Sequence, residues 1–333
     1  MTAPLHEPTP VSDAADAEAA AQASKSSVEG RSLGRIAWNR LKRDKLALAG
    51  GAVVIFLVLV AVFAPLIVGA FGHPPNEYHE DKIDPLTSTP IGPLGGISHD
   101  FLLGVEPVNG RDVFSRIVYG ARVSLLVGFL AAIVAVALGT VLGIIAGYFG
   151  GWIDSVISRV MDMLLSFPQL LFAIALISVV PSELFGLTGT GLRIGVLVTV
   201  IGLFGWPYIG RIVRGLTLSL REREYVESAR SLGAGRAYIL FKELLPNLVA
   251  PITVYMTLMI PTNILTEAAL SFLGVGVKPP TSSWGQMLST AIRTFESDPM
   301  FMIVPGAAIF ITVLAFNLFG DGVRDALDPK GSR

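Results

Sequence analysis

Residues 123–148, VSLLVGFLAAIVAVALGTVLGIIAGY, contain no charged side chain, and this stretch constrains the fold more than any other. A bilayer core about 30 Å thick is crossed by roughly 20 residues of α-helix, so the stretch is long enough to span a membrane. In lipid every backbone N–H and C=O group must be bonded within the protein, which leaves helices or closed barrels. The chain is 52% hydrophobic and 15% charged, a composition typical of a membrane protein and not of a soluble domain.

Five further apolar segments predict additional transmembrane helices. They are residues 46–71, 160–181, 194–216, 248–273 and 300–320. The predicted fold class is therefore an all-α polytopic membrane protein with six transmembrane helices. Glycine and proline recur in these spans. Small residues let helices approach closely, and proline leaves carbonyl groups that need a neighbour, so we expect a packed bundle with a cavity.

Basic residues cluster at three places beside the predicted spans: the leader 31–45, the segment 217–247 and the tail 321–333. Six spans put all three on one side of the membrane, and their excess of Lys and Arg predicts that both termini are cytoplasmic. The loop 72–122 then lies outside the cell. Its last part, RDVFSRIVYGAR, predicts an interfacial helix whose arginines reach the lipid headgroups.

Two N-terminal segments precede the first span. Residues 1–30 are rich in Ala, Ser, Asp, Glu and Pro, and we expect a disordered tail because they hold few large apolar side chains. In the leader 31–45, basic residues are interleaved with Leu, Ile and Trp, which predicts an amphipathic helix on the anionic membrane surface. A solvated basic leader is the alternative.

The sequence offers little for catalysis. It has no cysteine and only four histidines, all outside the apolar spans, so thiolate chemistry is excluded. It contains no phosphate-binding G-x-x-x-x-G-K-[ST] loop, no H-E-x-x-H and no G-x-S-x-G. We therefore expect a protein that is not an enzyme, has no catalytic residue and holds neither a cofactor nor a metal itself.

The most charged part of the apolar region is REREYVESARSLGAGRAYILFKELLPN, residues 221–247. Apolar side chains at helical spacing and a Gly-Ala-Gly break predict a helix, a turn at Gly233 and a second short helix. Ion pairs of Glu227 with Arg223 and Arg230 are expected to support the first helix. The polar face carries both signs of charge, which favours a protein groove; a helix pair resting on lipid is the alternative.

This segment resembles the EAA loop of permease subunits in bacterial ABC importers. Glu227, Ser228 and Ala229, then Gly233, then the run ELLP at 243–246 keep the spacing of that family. Ser and Glu stand where the family has its middle Ala and its Ile.

Four other stretches are similar to the C-type permease of dipeptide, oligopeptide and nickel importers. They are NGRDVFSRIVYGARVSL (109–125), GYFGGWIDSVISRVMDMLLSFPQLL (147–171), EAALSFLGVGVKPPTSSWGQML (267–288) and FGDGVRDALDP (319–329). The stretch LGVEPVNG (103–110) departs from the LGTD-x-x-G pattern of this family. The resemblance covers about residues 33–330.

The resemblance implies the ABC type I importer permease fold and a division of labour. A homologous B-type permease subunit completes the pathway, and two ATPase subunits or one fused pair bind ATP and Mg²⁺. An extracellular lipid-anchored or periplasmic binding protein delivers the solute. The chain would be a multi-pass protein of the bacterial cell membrane that passes di- or oligopeptides, with nickel, glutathione or another small solute as alternatives and no nucleic-acid partner.

The resemblance also assigns the segment at 221–247 as the coupling helix, seated in a groove of one ATPase. The residues expected at that contact are Glu224, Glu227, Ser228, Ala229, Arg230, Leu232, Gly233, Ala234, Gly235 and Arg236.

Polar and aromatic side chains within the spans are candidates for lining the pathway. They are Trp206, Tyr208, Asn263 and Glu267. An acid at membrane depth is costly, so Glu267 is expected to be paired or to cap a helix, with substrate contact as the alternative. The two aromatic residues could line the pathway or only pack, and Asn263 is expected to hydrogen bond to another helix. Arg159 and Asp162, three residues apart, are expected to form a local ion pair.

An ion-coupled secondary transporter is the main alternative of a different class. Such proteins place ionisable groups near the membrane midplane. The predicted spans hold almost none, which disfavours this function. The missing catalytic motifs likewise disfavour an intramembrane enzyme.

Overall fold

The computed structural model describes residues 33–181, 183–184 and 186–328. The predicted disordered tail 1–30 and the end of the predicted cytoplasmic tail lie outside these residues. The described chain consists of helices joined by loops, with one short antiparallel hairpin of strands β1 (Glu183–Leu184) and β2 (Leu187–Thr188). The helices are α1 (Leu33–Leu41), α2 (Lys45–Val62), α3 (Ala64–Phe71), a 3₁₀ turn (Glu80–Lys82), α4 (Val113–Phe149), α5 (Gly151–Ser166), α6 (Gln169–Val179), α7 (Gly189–Leu220), α8 (Glu224–Ser231), α9 (Arg236–Tyr238), a π-helical segment (Ile239–Leu244), α10 (Leu245–Phe272), α11 (Trp284–Ala291) and α12 (Met300–Leu327).

Five helical stretches are long and apolar enough to cross a membrane: α2, α4, α7, the continuous stretch Arg236–Phe272 that ends with α10, and α12. A bent pair, α5 and α6, is the sixth candidate. The predicted all-α polytopic fold is therefore confirmed. The predicted span 160–181 falls on the bent pair and is not one straight helix. The two helices meet at 89° across Phe167 and Pro168. Proline disfavours helical backbone in the residue before it, and Phe167 is extended (φ −85°, ψ 137°).

The first predicted span, 46–71, is also interrupted. Helix α2 ends at Val62 and α3 begins at Ala64, with Phe63 between them. Pro65 lies in the first turn of α3, where its missing N–H removes no helical hydrogen bond. The span is thus two helices in succession, and its proline marks the start of the second.

The interfacial helix predicted at the end of loop 72–122 is not a separate element. Helix α4 begins at Val113, capped by Asp112, whose Oδ1 accepts the N–H of Phe114 at 3.0 Å. From there it continues unbroken through the apolar stretch. The prediction that its arginines reach lipid headgroups is wrong for Arg111 and Arg116, which are both buried. Helical periodicity could not show this, because the groups that cover Arg116 come from distant segments.

Helices α4 and α7 form the centre of the bundle, and glycines set their separation. Gly139, Gly143 and Gly147 of α4, at every fourth position, face α7. A Cβ atom on Gly143 would lie 2.7 Å from the carbonyl oxygen of Gly210, closer than real side chains come. The close helix packing predicted from the glycines is therefore confirmed.

Helices α2, α10 and α12 pack around this central pair. Gly50 of α2 faces α12, where an added Cβ would lie 2.7 Å from the carbonyl oxygen of Ala315. Ile264 of α10 fills the space beside Gly128 of α4. Buried residues of these helices form one apolar cluster together with Trp284 of α11.

The alternating direction of the helices gives the bundle two distinct ends. Helix α1, helix α8 and the last turn of α12 lie at one end, which we call the α8 end. There Arg40 Nη1 donates to the carbonyl oxygen of Asp328 at 2.6 Å. Residues 72–112 and 273–299 lie at the opposite end, which we call the α11 end.

Candidate functional site

The charged segment predicted to contact an ATPase contains a short helix, α8, that ends in a left-handed turn. Gly233 has a φ of +82°, a backbone conformation that favours glycine. The N–H of Gly233 donates to the carbonyl of Arg230 at 3.0 Å, and that of Ala234 donates to the carbonyl of Ala229 at 3.0 Å. These two bonds form a Schellman motif, which satisfies carbonyl groups at a helix end. The predicted helix and its end at Gly233 are confirmed.

The predicted second short helix does not stop before the next span. Helical backbone runs from Arg236 through the π-helical segment into α10. Pro246 lies in the first turn of α10, and it cannot donate a hydrogen bond to the preceding turn. The wider π-helical turn directly before it accommodates the proline without ending the helix.

An apolar base fixes α8 to the bundle. Val226, Ile239 and Leu244 are buried and pack together. Tyr148 and Leu220, at the ends of α4 and α7, pack against them. The surface carried by α8 is therefore seated directly on the ends of the two central spanning helices.

The outward side of the segment exposes large apolar side chains. Leu232 is 89% exposed, Phe241 67% and Tyr238 51%. A groove of about 650 Å³ lies between α8, the turn and α9, with Leu232 and Tyr238 on its walls. Exposed apolar surface rimmed by polar residues is typical of a contact site for another protein.

Glu243, which the family pattern leaves unexplained, borders the same groove beside Tyr225. Burial raises the pKa of the Tyr225 phenol, and the negative charge of Glu243 raises it further, while Arg223 partly opposes both. The Tyr225 hydroxyl and the Glu243 side chain thus place two polar groups at the edge of the groove. A polar pair of this kind, set among apolar side chains, can orient a partner.

The predicted contact residues all lie on this surface, but their exposure differs. Ala229 and Ala234 are half-buried. The exposed ones are Glu224, Glu227, Ser228, Arg230, Leu232, Gly233, Gly235 and Arg236. Their contact with an ATPase stays a prediction.

The ion pairs predicted within α8 are wrong. In the described chain Glu227 pairs with neither Arg223 nor Arg230. The ion pair nearest to α8 joins Arg221 to Glu222 at 2.8 Å. Exposed side chains gain little from such pairs, so Glu227 and Arg230 stay accessible on the surface of α8.

Glu267 and Asn263 of α10 are buried and bonded to other groups. Glu267 Oε2 accepts from Ser124 of α4 at 2.9 Å, and its Oε1 accepts from Ser271 at 2.7 Å. Asn263 Nδ2 donates to the carbonyl of Gly128 at 3.4 Å, which joins α10 to α4. The structural pairing expected of both residues is present, and contact of Glu267 with substrate stays a prediction.

The two aromatic candidates of α7 differ in exposure. Trp206 is 3% exposed and packs inside the bundle, whereas Tyr208 is 56% exposed. The Tyr208 ring meets Tyr255 of α10 edge to face, with centroids 6.2 Å apart. Only Tyr208 is accessible enough to contact a solute, and its role in a pathway stays a prediction.

Two ion pairs hold α5 on α7. Arg214 donates to both carboxylate oxygens of Asp154, and Arg211 Nη2 donates to Asp162 Oδ1 at 2.5 Å. The predicted pairing of Asp162 with Arg159 is wrong, because a residue from another helix takes its place. These two ion pairs thus attach the bent pair α5–α6 to α7.

A buried charged cluster at the α11 end is not predicted from the sequence. Glu106 accepts from Arg111 at 2.5 and 2.8 Å, and Arg116 Nε lies 3.5 Å from the same carboxylate. The sequence held one indication of it: Glu106 in LGVEPVNG is followed by arginines five and ten residues later, at positions 111 and 116. No group of three or more His, Cys, Asp or Glu side chains that could hold a metal ion occurs among the described residues.

Two protein families match the chain. The family described as binding-protein-dependent transport system inner membrane component matches residues 139–333, which is more than half of the chain. The N-terminal transmembrane domain of oligopeptide transport permease C matches residues 32–88.

Individual relatives match over most of their length. The glutathione transport system permease protein GsiD of Salmonella paratyphi A is 43% identical over 293 residues, 88% of this chain and 89% of that protein. The dipeptide transport system permease protein DppC of Alkalihalophilus pseudofirmus is 42% identical over 296 residues, 89% of this chain and 90% of that protein.

A solved structure shares the fold. A chain of the MetNI methionine ABC transporter, in inward-facing conformations, superposes with a TM-score of 0.51 at 19% identity, over 65% of this chain and 97% of that chain. The predicted ABC importer permease fold is confirmed. From the family matches and the relatives, the chain belongs to the binding-protein-dependent transport system inner membrane components, as a multi-pass ABC importer permease subunit of the C type found in the dipeptide and oligopeptide family.

Proposed function

We propose that α8 and the Gly233 turn are the surface to which a separate ATPase subunit binds, so that ATP hydrolysis drives this half of the translocation pathway. The observation that carries the proposal is Leu232, which is 89% exposed at the end of α8, the helix whose Val226 packs into the buried base with Leu244. A large apolar side chain held in this way on a rigid base is suited to bury in a partner. Because the base includes the ends of α4 and α7, movement of the partner would reach the membrane helices directly.

In this assignment the α8 end is cytoplasmic and the α11 end faces outward. Exposed arginines at the α8 end, among them Arg223, Arg230 and Arg236, agree with the excess of basic residues on cytoplasmic surfaces. The ATPase subunits, two chains or one fused pair, bind ATP and Mg²⁺. A homologous B-type subunit supplies the other half of the pathway, and a binding protein docks at the α11 end.

The solute we propose is a di- or oligopeptide. The names of the two relatives indicate a dipeptide for one and glutathione for the other. Both solutes are short, amide-linked and carry free carboxylates. Glutathione, nickel or another small solute are the alternatives for this chain.

Transport by the complete complex tests this function. The B-type subunit, this chain and the ATPases are reconstituted in proteoliposomes, the binding protein and labelled dialanine are supplied on the α11 side, and ATP is supplied on the α8 side. We expect uptake that depends on ATP and stops when the ATPase is inactivated by mutation. Uptake that persists with an inactive ATPase would show ion-coupled transport instead. Competition by glutathione or Ni²⁺ identifies the preferred solute.

The coupling surface has its own test with a matched control. Leu232→Asp places a charge on the exposed apolar side chain, and we expect ATPase affinity to fall at least tenfold, about 1.4 kcal/mol. Leu86→Asp is the control, because Leu86 is 93% exposed but lies at the α11 end. Affinity is measured by titrating the ATPase onto the permease pair in nanodiscs. An equal effect of the two substitutions would contradict the assignment of α8.

A further inference from the structure

A cavity of about 420 Å³ lies at the α11 end, and its charge has one sign. Arg111, Lys278 and Arg293 line it, while its lining contains no Asp or Glu. Neutral polar side chains, among them Tyr78, Asn109 and Gln286, form the rest of its polar wall. Sites for small molecules are clefts of about 300–1,000 Å³ with a few placed polar groups, so the cavity has the size of a small-solute site.

Positive charge behind this wall is incompletely balanced. Two guanidinium groups, of Arg111 and Arg116, share the single carboxylate of Glu106. Arg111 occupies both oxygens of that carboxylate, at 2.5 and 2.8 Å. Arg116 is fully buried; its Nη1 and Nη2 donate to neutral oxygens, such as those of Pro280 and Gln286, and its Nε has no hydrogen-bond partner among the described residues. A buried charge without full compensation is unfavourable, so an anionic group in the adjoining cavity is stabilised.

One further carboxylate lies behind the wall, but it is already bonded. Ser271 lines the cavity and donates to Glu267 Oε1 at 2.7 Å, while Ser124 donates to the other oxygen. Glu267 is fully buried and does not line the cavity. Among the groups that line the cavity or hydrogen bond to its lining, four are basic and two are acidic. The groups are Arg111, Arg116, Lys278 and Arg293 against Glu106 and Glu267.

Hydrogen bonds hold the inner wall in place. Arg116 Nη2 donates to Gln286 Oε1 at 2.9 Å, and Gln286 Nε2 donates to Thr290 at 2.8 Å. Lys278 and Arg293, in contrast, are exposed. A fixed inner wall and two exposed basic side chains suit a ligand whose charged group enters from solvent, because little ordering is required of the wall.

We infer that this cavity binds the free carboxylate of a small solute arriving at the α11 end, with Lys278 and Arg293 as its direct partners. Arg111 in the cavity wall and Arg116 behind that wall supply fixed positive charge. Hydrogen bonds between a carboxylate and Lys or Arg are among the strongest that side chains make. The inference rests on the proposed function, and within it the recognised group is the C-terminal carboxylate of a peptide.

Uptake of a free acid and of its amide tests the inference. The complete importer with its binding protein is supplied with dialanine or with dialanine amide, which lacks the carboxylate. In Lys278→Gln/Arg293→Gln we expect the KM for dialanine to rise about tenfold, and the KM for the amide to stay unchanged. Lys278→Arg/Arg293→Lys keeps the charges and is expected to keep the preference for the acid. Lys82→Gln is the matched control, since Lys82 is an exposed lysine of the same end outside the cavity.

A second measurement leaves the binding protein out. Calorimetric titration of dialanine and of its amide into the importer complex alone is expected to show binding of the acid only. In the Lys278→Gln/Arg293→Gln variant this binding is expected to disappear.

Two results would overturn the inference. One is that the ratio of the KM for dialanine to the KM for dialanine amide is the same in Lys278→Gln/Arg293→Gln as in the unaltered importer. The other is that only the affinity of the complex for the binding protein falls in this variant, while solute binding does not change. That affinity is measured by titrating the binding protein onto the complex in nanodiscs. This result would mean that the cavity binds a carboxylate of the binding protein. Failure of the proposed function looks different, because the unaltered importer would then show no ATP-dependent uptake of either compound.

Discussion

Replacing Gly233 by Ala tests whether the left-handed turn after α8 sets the shape of the coupling surface. Gly233 has a φ of +82°, and a Cβ added there would meet no atom within 4 Å. The substitution therefore introduces no clash with another residue and acts through the backbone alone.

The expected size of the effect follows from that backbone conformation. A left-handed conformation costs a residue with a Cβ roughly 1–2 kcal/mol. This free energy corresponds to a shift of about 5- to 30-fold away from the native turn. The turn positions Leu232, and the bond from Ala234 to Ala229 closes the end of α8. We therefore expect the affinity for the ATPase to fall by up to about 30-fold while the protein still inserts into the membrane.

Gly235 provides the matched control for this experiment. It has an ordinary extended backbone (φ −68°, ψ 157°), and its Cβ position is equally open, so Gly235→Ala adds the same methyl group to the same surface without the backbone cost and is expected to lower the affinity much less than Gly233→Ala. Gly233→Asn is expected to be intermediate, because Asn tolerates the left-handed conformation better than Ala. The measurements are titration of the ATPase onto the permease pair in nanodiscs and solute-stimulated ATP hydrolysis. Equal affinities for Gly233→Ala and Gly235→Ala would refute the role of the turn.

Three further predictions concern stability, measured as thermal unfolding in detergent. Gly143→Ala puts a Cβ 2.7 Å from a carbonyl oxygen of α7 and is expected to destabilise the bundle by about 1–3 kcal/mol. Gly306→Ala is the control, because its added Cβ meets no atom within 4 Å. Equal Tm values for the two variants would contradict the close packing of α4 on α7. Glu106→Gln leaves two buried arginines without a counter-charge and is expected to cost about 3–5 kcal/mol, and a change below about 1 kcal/mol would show that this pair is not desolvated. Burial raises the pKa of the Asp298 carboxyl, and the hydrogen bond from the N–H of Met300 partly opposes this rise. The contribution of Asp298 to the free energy of unfolding is therefore fully present at low pH, where the carboxyl is protonated, and is lost as the pH rises through its pKa in the folded protein. Asp298→Asn is neutral at every pH and is expected to raise the Tm at pH 7 and to lose this advantage as pH falls; a constant difference would contradict the shift.

Most of the membrane architecture could be predicted from local patterns in the sequence. The uncharged run 123–148 is far longer than the roughly 9–11 residues of a barrel strand, so a spanning helix is the structure that satisfies its backbone in lipid. The turn at Gly233 and the helix before it followed from residue types within one turn of chain. Even the bend at Pro168 had a local cause, although hydropathy alone joined 160–181 into one span.

Pairings between distant segments could not be predicted in this way. Arg116 has the helical spacing of a surface residue, yet it is buried against Glu106 and hydrogen-bonded to Gln286, which is 170 residues away in sequence. Asp162 had a basic neighbour three residues before it, yet it pairs with Arg211 of α7.

The sequence by itself thus determined which segments cross the membrane, where α8 ends and that catalytic motifs are missing, since these depend on composition and on short-range backbone preference. Only the tertiary structure decided which charges are buried, which partners they take and where basic side chains come together around a cavity. The physical reason is that hydropathy and periodicity describe each helix alone. The free energy of a buried charge depends instead on groups that folding brings together from far along the chain.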